Sequence, residues 1–198
     1  MSDDWKTLSN VYDLGQLLVQ QGKFDQETWR MFHCKCLRNV WHLIRDETVK
    51  RAIEAAEGYC QGEVSVEELD RQHEAVGTIS RKAWEVLLSL RTSQKSNEYV
   101  WPISRQDVDD VWIGYSSAIG ASVVTQREID ALATPEAACS IYAWATARRD
   151  IIAKGGNLNR DSVEAQWKAN RDAEEQKQAD LLRSMFPRPS TTDNRSGA

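Results

Sequence analysis

The stretch Trp29–Ile44 reads WRMFHCKCLRNVWHLI, with two tryptophans, two histidines and two cysteines in close succession. It is either a metal or thiol site or a crowded helix core. On a helix each residue turns by about 100°, so Cys34 and Cys36 point about 200° apart and cannot share one ion. A zinc knuckle places Cys-x₂-Cys in a turn, whereas this is Cys-x-Cys inside a helical pattern. His33 and Cys36 do share a face. Their further ligands would have to come from Cys60, Cys139, His73 or a distant acid. Against this, Trp29, Phe32, Cys36, Val40 and Leu43 make one apolar stripe. Leu37, Trp41 and Ile44 widen it, with Cys34 nearby, and free cysteine behaves as a small hydrophobe. The core reading is preferred, on a helix from Asp25 to Ile44. His33, Cys36 and Cys60 stand as the metal-ligand candidates, and Lys35 and Arg38 flank the thiols as groups able to lower a thiol pKa.

The same periodicity extends outward. Val11, Leu14, Leu17 and Leu18 follow Asn10 as cap and stop at Gly22. Asp46 caps a helix carrying Val49, Ile53, Ala56 and Cys60. Ser65 and Glu68 fit a capping box. The helix they open carries Leu69, His73 and Val76, then Ala83, Trp84, Leu87 and Leu88 past a break at Gly77. YVWPI, at 99–103, is the one strand-like run, limited by Pro102. Ser104 caps a helix with Val108, Val111, Trp112, Tyr115 and Ile119 on one face. Thr134, Pro135 and Glu136 start another, with Ile141, Trp144, Ala145, Ile151 and Ile152, ending near Lys154 and Gly155. The last helix, from Arg160 to Phe186, is long and charged. It is apolar at both ends and polar between, with ion pairs expected for Glu164–Lys168, Lys168–Asp172 and Arg171–Glu175. Such a helix crosses solvent or lies on the surface.

Composition agrees. Ten glycines and four prolines in 198 residues are few, which disfavours many short strands. Eight tryptophans are many. Trp29, Trp41, Trp84, Trp112 and Trp144 fall on apolar stripes and read as core; Trp5, Trp101 and Trp167 do not. The net charge of −5 comes with no basic block, which argues against nucleic acid. No apolar run is long enough to span a membrane, the N-terminus does not read as a signal peptide, and four cysteines are too few for a disulfide scaffold. The reading is an all-α fold: one multi-helix domain of about seven helices over residues 1–186, and a disordered tail over 187–198.

The segment from Arg30 to Leu69 resembles a family of uncharacterised bacterial proteins common in planctomycetes. The likeness rests on Cys34, Cys36, Arg38, the WHL at Trp41–Leu43, the helix Arg51–Glu57 and the segment Gly62–Leu69. QADLLRSMFPRP, starting at Gln178, is similar to that family's closing motif. Leu37 stands where the family often has an adjacent cysteine. The resemblance implies a helical fold and bacterial origin, and brings no activity.

Other constellations are thin. His42 with Asp46, and Asp70 with His73, have the spacing of an acid–histidine base pair. Asp107, Asp109 and Asp110 cluster at a helix start, without a calcium-loop pattern. No phosphate loop, nucleophile elbow or zinc-protease motif is present. The expectation is a cytoplasmic, non-catalytic module that binds another protein and carries no cofactor, with neither nucleic acid nor membrane as partner. The alternative is a metal-binding or thiol-dependent enzyme near His33 and Cys36. Leu181, Leu182, Met185 and Phe186 form an apolar patch that either docks on its own domain, the preferred reading, or serves a partner as helix-in-groove ligands do.

Overall fold

Local capping fixes where the helices begin. In a computed structural model, which describes residues 10–92, 106–130, 135–156 and 160–186, the Asn10 side chain accepts the Asp13 N–H at 2.8 Å to open α1 (Val11–Gln20). Asp25 accepts from Thr28 at 2.8 Å to open α2 (Gln26–Asn39). Asp46 accepts from Thr48 and Val49 at 2.7 and 3.3 Å to open α3 (Glu47–Cys60). Ser65 accepts from Glu68 at 3.3 Å at the start of α4 (Val66–Thr92). Then come α5 (Gln106–Thr125), α6 (Glu136–Ala153) and α7 (Arg160–Met185). Each cap satisfies N–H groups that the first helical turn leaves without partners. Gly22 and Gly155, at φ 64° and 67°, take the left-handed conformation that ends α1 and α6.

Seven α-helices and no strand are found among the described residues, so the fold is all-α and forms one domain. Trp5, Trp101, the run at 99–103, the caps Ser104 and Thr134, the side chains of Asp107 and Asp109, and the tail at 187–198 lie outside the described residues.

The opening stretch is the centre of the core. Trp29, Phe32, Cys34, Cys36, Leu37, Val40 and Ile44 are all buried, and α2 packs against α3, α5, α6 and α7. The Trp29 ring meets Phe24, Phe32, His33 and Phe186 at 5.3–6.2 Å. The helix does not run to Ile44 as its spacing predicts. It stops at Asn39, and Trp41–Leu43 form a 3₁₀ turn. That turn sends the chain back so that α3 returns against α2 while Val40 and Ile44 both stay buried. Trp41 is thereby moved to the rim, half-buried, with the Arg38 guanidinium 3.8 Å from its ring centre.

Arg30 ties this core to α5. The residue is 2% exposed, and its guanidinium donates to the carbonyls of Val124, Gln126 (2.6 Å) and Arg127 (3.0 Å). A cation at a helix C-terminus satisfies the last carbonyls and meets the negative end of the dipole.

Three expectations are revised. First, α4 runs straight through Gly77. Second, α5 turns its small face inward. Ser117, Ala118, Gly120 and Ala121 are buried, while Trp112 and Tyr115 are half-buried and Ile119 is exposed. A Cβ at Gly120 would meet Leu37 at 2.8 Å and Ala137 at 2.9 Å. Three helices therefore converge too closely there for the aromatic face to point in. Third, α7 does not cross solvent. It packs along α6, and its polar residues Asn170, Glu174 and Gln178 are buried.

Candidate functional site

Residues 170, 174, 178, 182 and 186 stand at steps of four on α7, and all five are buried. Steps of four on a helix make a single stripe. Its apolar end closes the core: Leu182 is fully buried, Phe186 is 5% exposed, and Leu181 and Met185 pack beside them half-buried. The patch at the end of α7 thus docks on its own domain.

The polar half of the stripe faces α6. Asn170 donates to Thr146 Oγ1 at 2.7 Å and to Asp150 Oδ2 at 2.9 Å, and accepts from Gln166 at 2.7 Å. Gln178 reaches the Pro135 carbonyl only at 3.5 Å, near the limit of a hydrogen bond. Glu174, 2% exposed, holds Lys177 at 3.1 Å through Oε2, while its Oε1 is buried without a partner among the described residues. Polar residues can line a helix interface where a facing helix offers partners, and Thr146 and Asp150 do so here. Arg171 pairs across helices with Glu136 at 2.5 Å instead of with Glu175 on its own helix.

A cavity of about 220 Å³ lies between α1, α6 and α7, lined by Val11, Tyr12, Glu136, Cys139, Arg171, Glu175 and Gln178. Burial pushes the Cys139 thiol up to about 12, and the carboxylates of Glu174 and Glu175 push it the same way; Arg171 counters them in part.

An aromatic ladder crosses four helices beside this seam. Trp84 on α4 meets Tyr115 on α5 at 5.5 Å. Tyr115 meets Trp112 edge-on at 5.8 Å, and Trp112 stacks on Trp144 of α6 at 5.9 Å and 6°. Trp144 meets Trp167 of α7 at 5.9 Å, and the Arg171 guanidinium lies 5.6 Å from the Trp167 ring. Of these rings only Trp144 also packs against the main core. Trp84 is 39% exposed, and Leu88, one turn on, is 37% exposed; the expectation that both point inward does not hold. Between them Leu87 faces inward and is fully buried. The expectation that Trp112 is core is revised too, and Trp167 joins the same face.

The metal and thiol candidates are not gathered. No group of three or more His, Cys, Asp or Glu side chains able to hold a metal exists among the described residues. His33 sits between the Trp29 and Phe32 rings, each at 5.7 Å. Cys36 is buried toward Cys139 and Glu174, its thiol pushed well up by burial. Cys60 is half-buried with its thiol toward the Glu27 carbonyl at 3.7 Å. Burial also pushes the Cys34 and Cys60 thiols up, so Arg38 and Lys35 do not activate them. The acid–histidine pairs are engaged elsewhere. Asp46 caps α3 and His42 is exposed. Asp70 is held by Arg127, which keeps its carboxyl below the usual range, while His73 Nδ1 lies 3.1 Å from both the Ser122 carbonyl and Thr125 Oγ1.

No family model, curated protein or solved structure matches the chain.

Proposed function

We propose that the protein is a non-catalytic module that binds another protein through the aromatic face formed by α4, α5, α6 and α7. The observation that carries this reading is the ladder Trp84–Tyr115–Trp112–Trp144–Trp167, partly exposed and largely outside the main core. Aromatic side chains bury large area at low entropic cost and dominate binding hot spots. Leu88 and Ile119, both 37% exposed, extend the apolar surface beside Trp84 and Tyr115. An isolated apolar residue on a surface needs no explanation, whereas a contiguous patch marks an interaction site.

We place the module in the cytoplasm of a bacterium. Four free thiols suit a reducing compartment, and no helix among the described residues is long and apolar enough to cross a membrane. The bacterial origin rests on the planctomycete likeness of the segment from Arg30 to Leu69.

Quantitative affinity capture tests the reading, comparing the protein with a Trp84→Gln, Leu88→Gln variant. Both positions are exposed, so the variant folds. A protein retained by the native face and lost by the variant is expected. Identical captured sets would overturn the assignment of the partner to this face.

A further inference from the structure

We propose that the chain forms a two-fold dimer in which a second copy covers the stripe of α4 from Gly77 to Leu88. The proposal rests on the reading of Trp84 and Leu88 as docking surface, and names what covers that edge of it. Arg81, Trp84, Glu85 and Leu88 stand four, seven, eight and eleven residues beyond Gly77 on α4, so all five share one face of the helix. Gly77 is half-buried and the other four are exposed.

The stripe is complementary to itself. A two-fold contact sets the same patch of both copies together, so every pairing across it occurs twice. Two copies of α4 laid antiparallel about an axis between Lys82 and Ala83 bring Leu88 opposite Gly77. The same axis brings Arg81 opposite Trp84, with Glu85 one residue further on. Gly77 lies in mid-helix, where glycine is a weaker helix former than alanine. Nothing lies within 4 Å of where its Cβ would stand, so no neighbour in its own chain requires the missing side chain. It is an open notch for the Leu88 knob. Ile119 stands beside that notch. His73 meets Ser122 and Thr125 while Trp84 meets Tyr115, so α4 and α5 run antiparallel and the exposed Ile119 falls between these levels.

Charge favours a second copy over a different protein. Arg81 and Glu85 are one turn apart, both exposed, and neither has an ion-pair partner among the described residues. In the two-fold arrangement each Arg81 lies between the partner's Trp84 ring and the partner's Glu85 carboxylate, which gives a cation–π contact and an ion pair. On α5 beside the stripe no charged residue occurs from Val111 to Thr125, so no like charge opposes the contact there. Pairing along α4 leaves Trp112, Trp144 and Trp167 to another protein.

The test is analytical ultracentrifugation of the full chain, which should sediment as a dimer. Arg81→Glu and Glu85→Arg each set like charges against each other in both contacts, and each should weaken self-association by about tenfold or more. Both positions are exposed, so both variants fold. An equimolar mixture of the two restores opposite charges in both contacts and should recover the dimer as a heterodimer. Gly77→Leu, for which the single chain has room, should give a monomer whose circular dichroism remains helical. A native chain that stays monomeric at millimolar concentration, or a mixture of the two charge variants that does not associate, would overturn the proposal. Capture of a different protein by a monomeric native chain, lost in the Trp84→Gln, Leu88→Gln variant, would uphold the docking face and overturn only the second copy as its occupant.

Discussion

Replacing Glu174 by methionine should make the protein more stable. The residue is 2% exposed, and its Oε1 is buried with no donor among the described residues. An unsatisfied buried acceptor costs about 1–3 kcal/mol. Its other oxygen meets Lys177, whose side chain is 58% exposed, and an ion pair with so exposed a partner contributes about 0–1 kcal/mol. Methionine has similar length, carries no polar oxygen, and adapts to irregular space beside Cys36 and Cys139. Buried ion pairs replaced by apolar residues of similar volume are often neutral or stabilised. The expected gain is about 1–2 kcal/mol, or about 2–8 °C in Tm for a chain of this size. Lys177→Met should do the reverse, since it removes the charge partner that the buried carboxylate has among the described residues. Urea unfolding monitored by circular dichroism, checked by a thermal melt, measures both. A loss of more than about 1 kcal/mol in Glu174→Met would refute the assignment of Oε1 as an unmet cost.

Trp29→Ala should cost about 3–5 kcal/mol, as for a fully buried large aromatic, while Trp41→Ala should cost about 1–2 kcal/mol because that ring is half-buried at the rim; equal losses on chemical unfolding would contradict the 3₁₀ turn at Trp41–Leu43. Deleting the chain after Gln178 removes Leu182 and Phe186 from the core and should lower Tm clearly; an unchanged melt would mean that the end of α7 does not dock. A thiol reagent should label Cys60 first and Cys34, Cys36 and Cys139 only on unfolding. The last three have thiol pKa values raised by burial. Their contribution to stability is full below the free-thiol pKa of about 8.5 and is lost as pH rises above it, because only the unfolded chain then gives up these protons. An alkaline unfolding transition that does not move in Cys36→Ala, Cys139→Ala would contradict that linkage.

Helix starts were legible because they are local. Asn10, Asp25, Asp46 and Ser65 cap their own helices through side chains two or three residues from the groups they satisfy, and Gly22 ends α1 in place. The core identity of Trp29–Ile44 was legible because its apolar stripe is broad. What the sequence hid are choices between two faces of one helix. Both faces of α5 can be read as inward, one aromatic and one small. The close approach at Gly120, where Leu37 and Ala137 would collide with any side chain, selects the small one, and residues remote in sequence decide it. On α7 the apolar count concealed the stripe, although the steps of four from Asn170 to Phe186 were visible; the missing knowledge was that Thr146 and Asp150 would stand opposite Asn170. Arg171 likewise found Glu136 across the interface, a choice that spacing within one helix does not reveal.

The most direct measurement is photo-crosslinking in the living cell, with a photoreactive phenylalanine analogue at Leu88 on the aromatic face and, separately, at Glu63 in the exposed turn after α3. A discrete adduct of the protein with one other polypeptide from position 88, absent from position 63, is the predicted result. No adduct at 88, or the same adducts from both positions, would contradict a partner seated on the aromatic face.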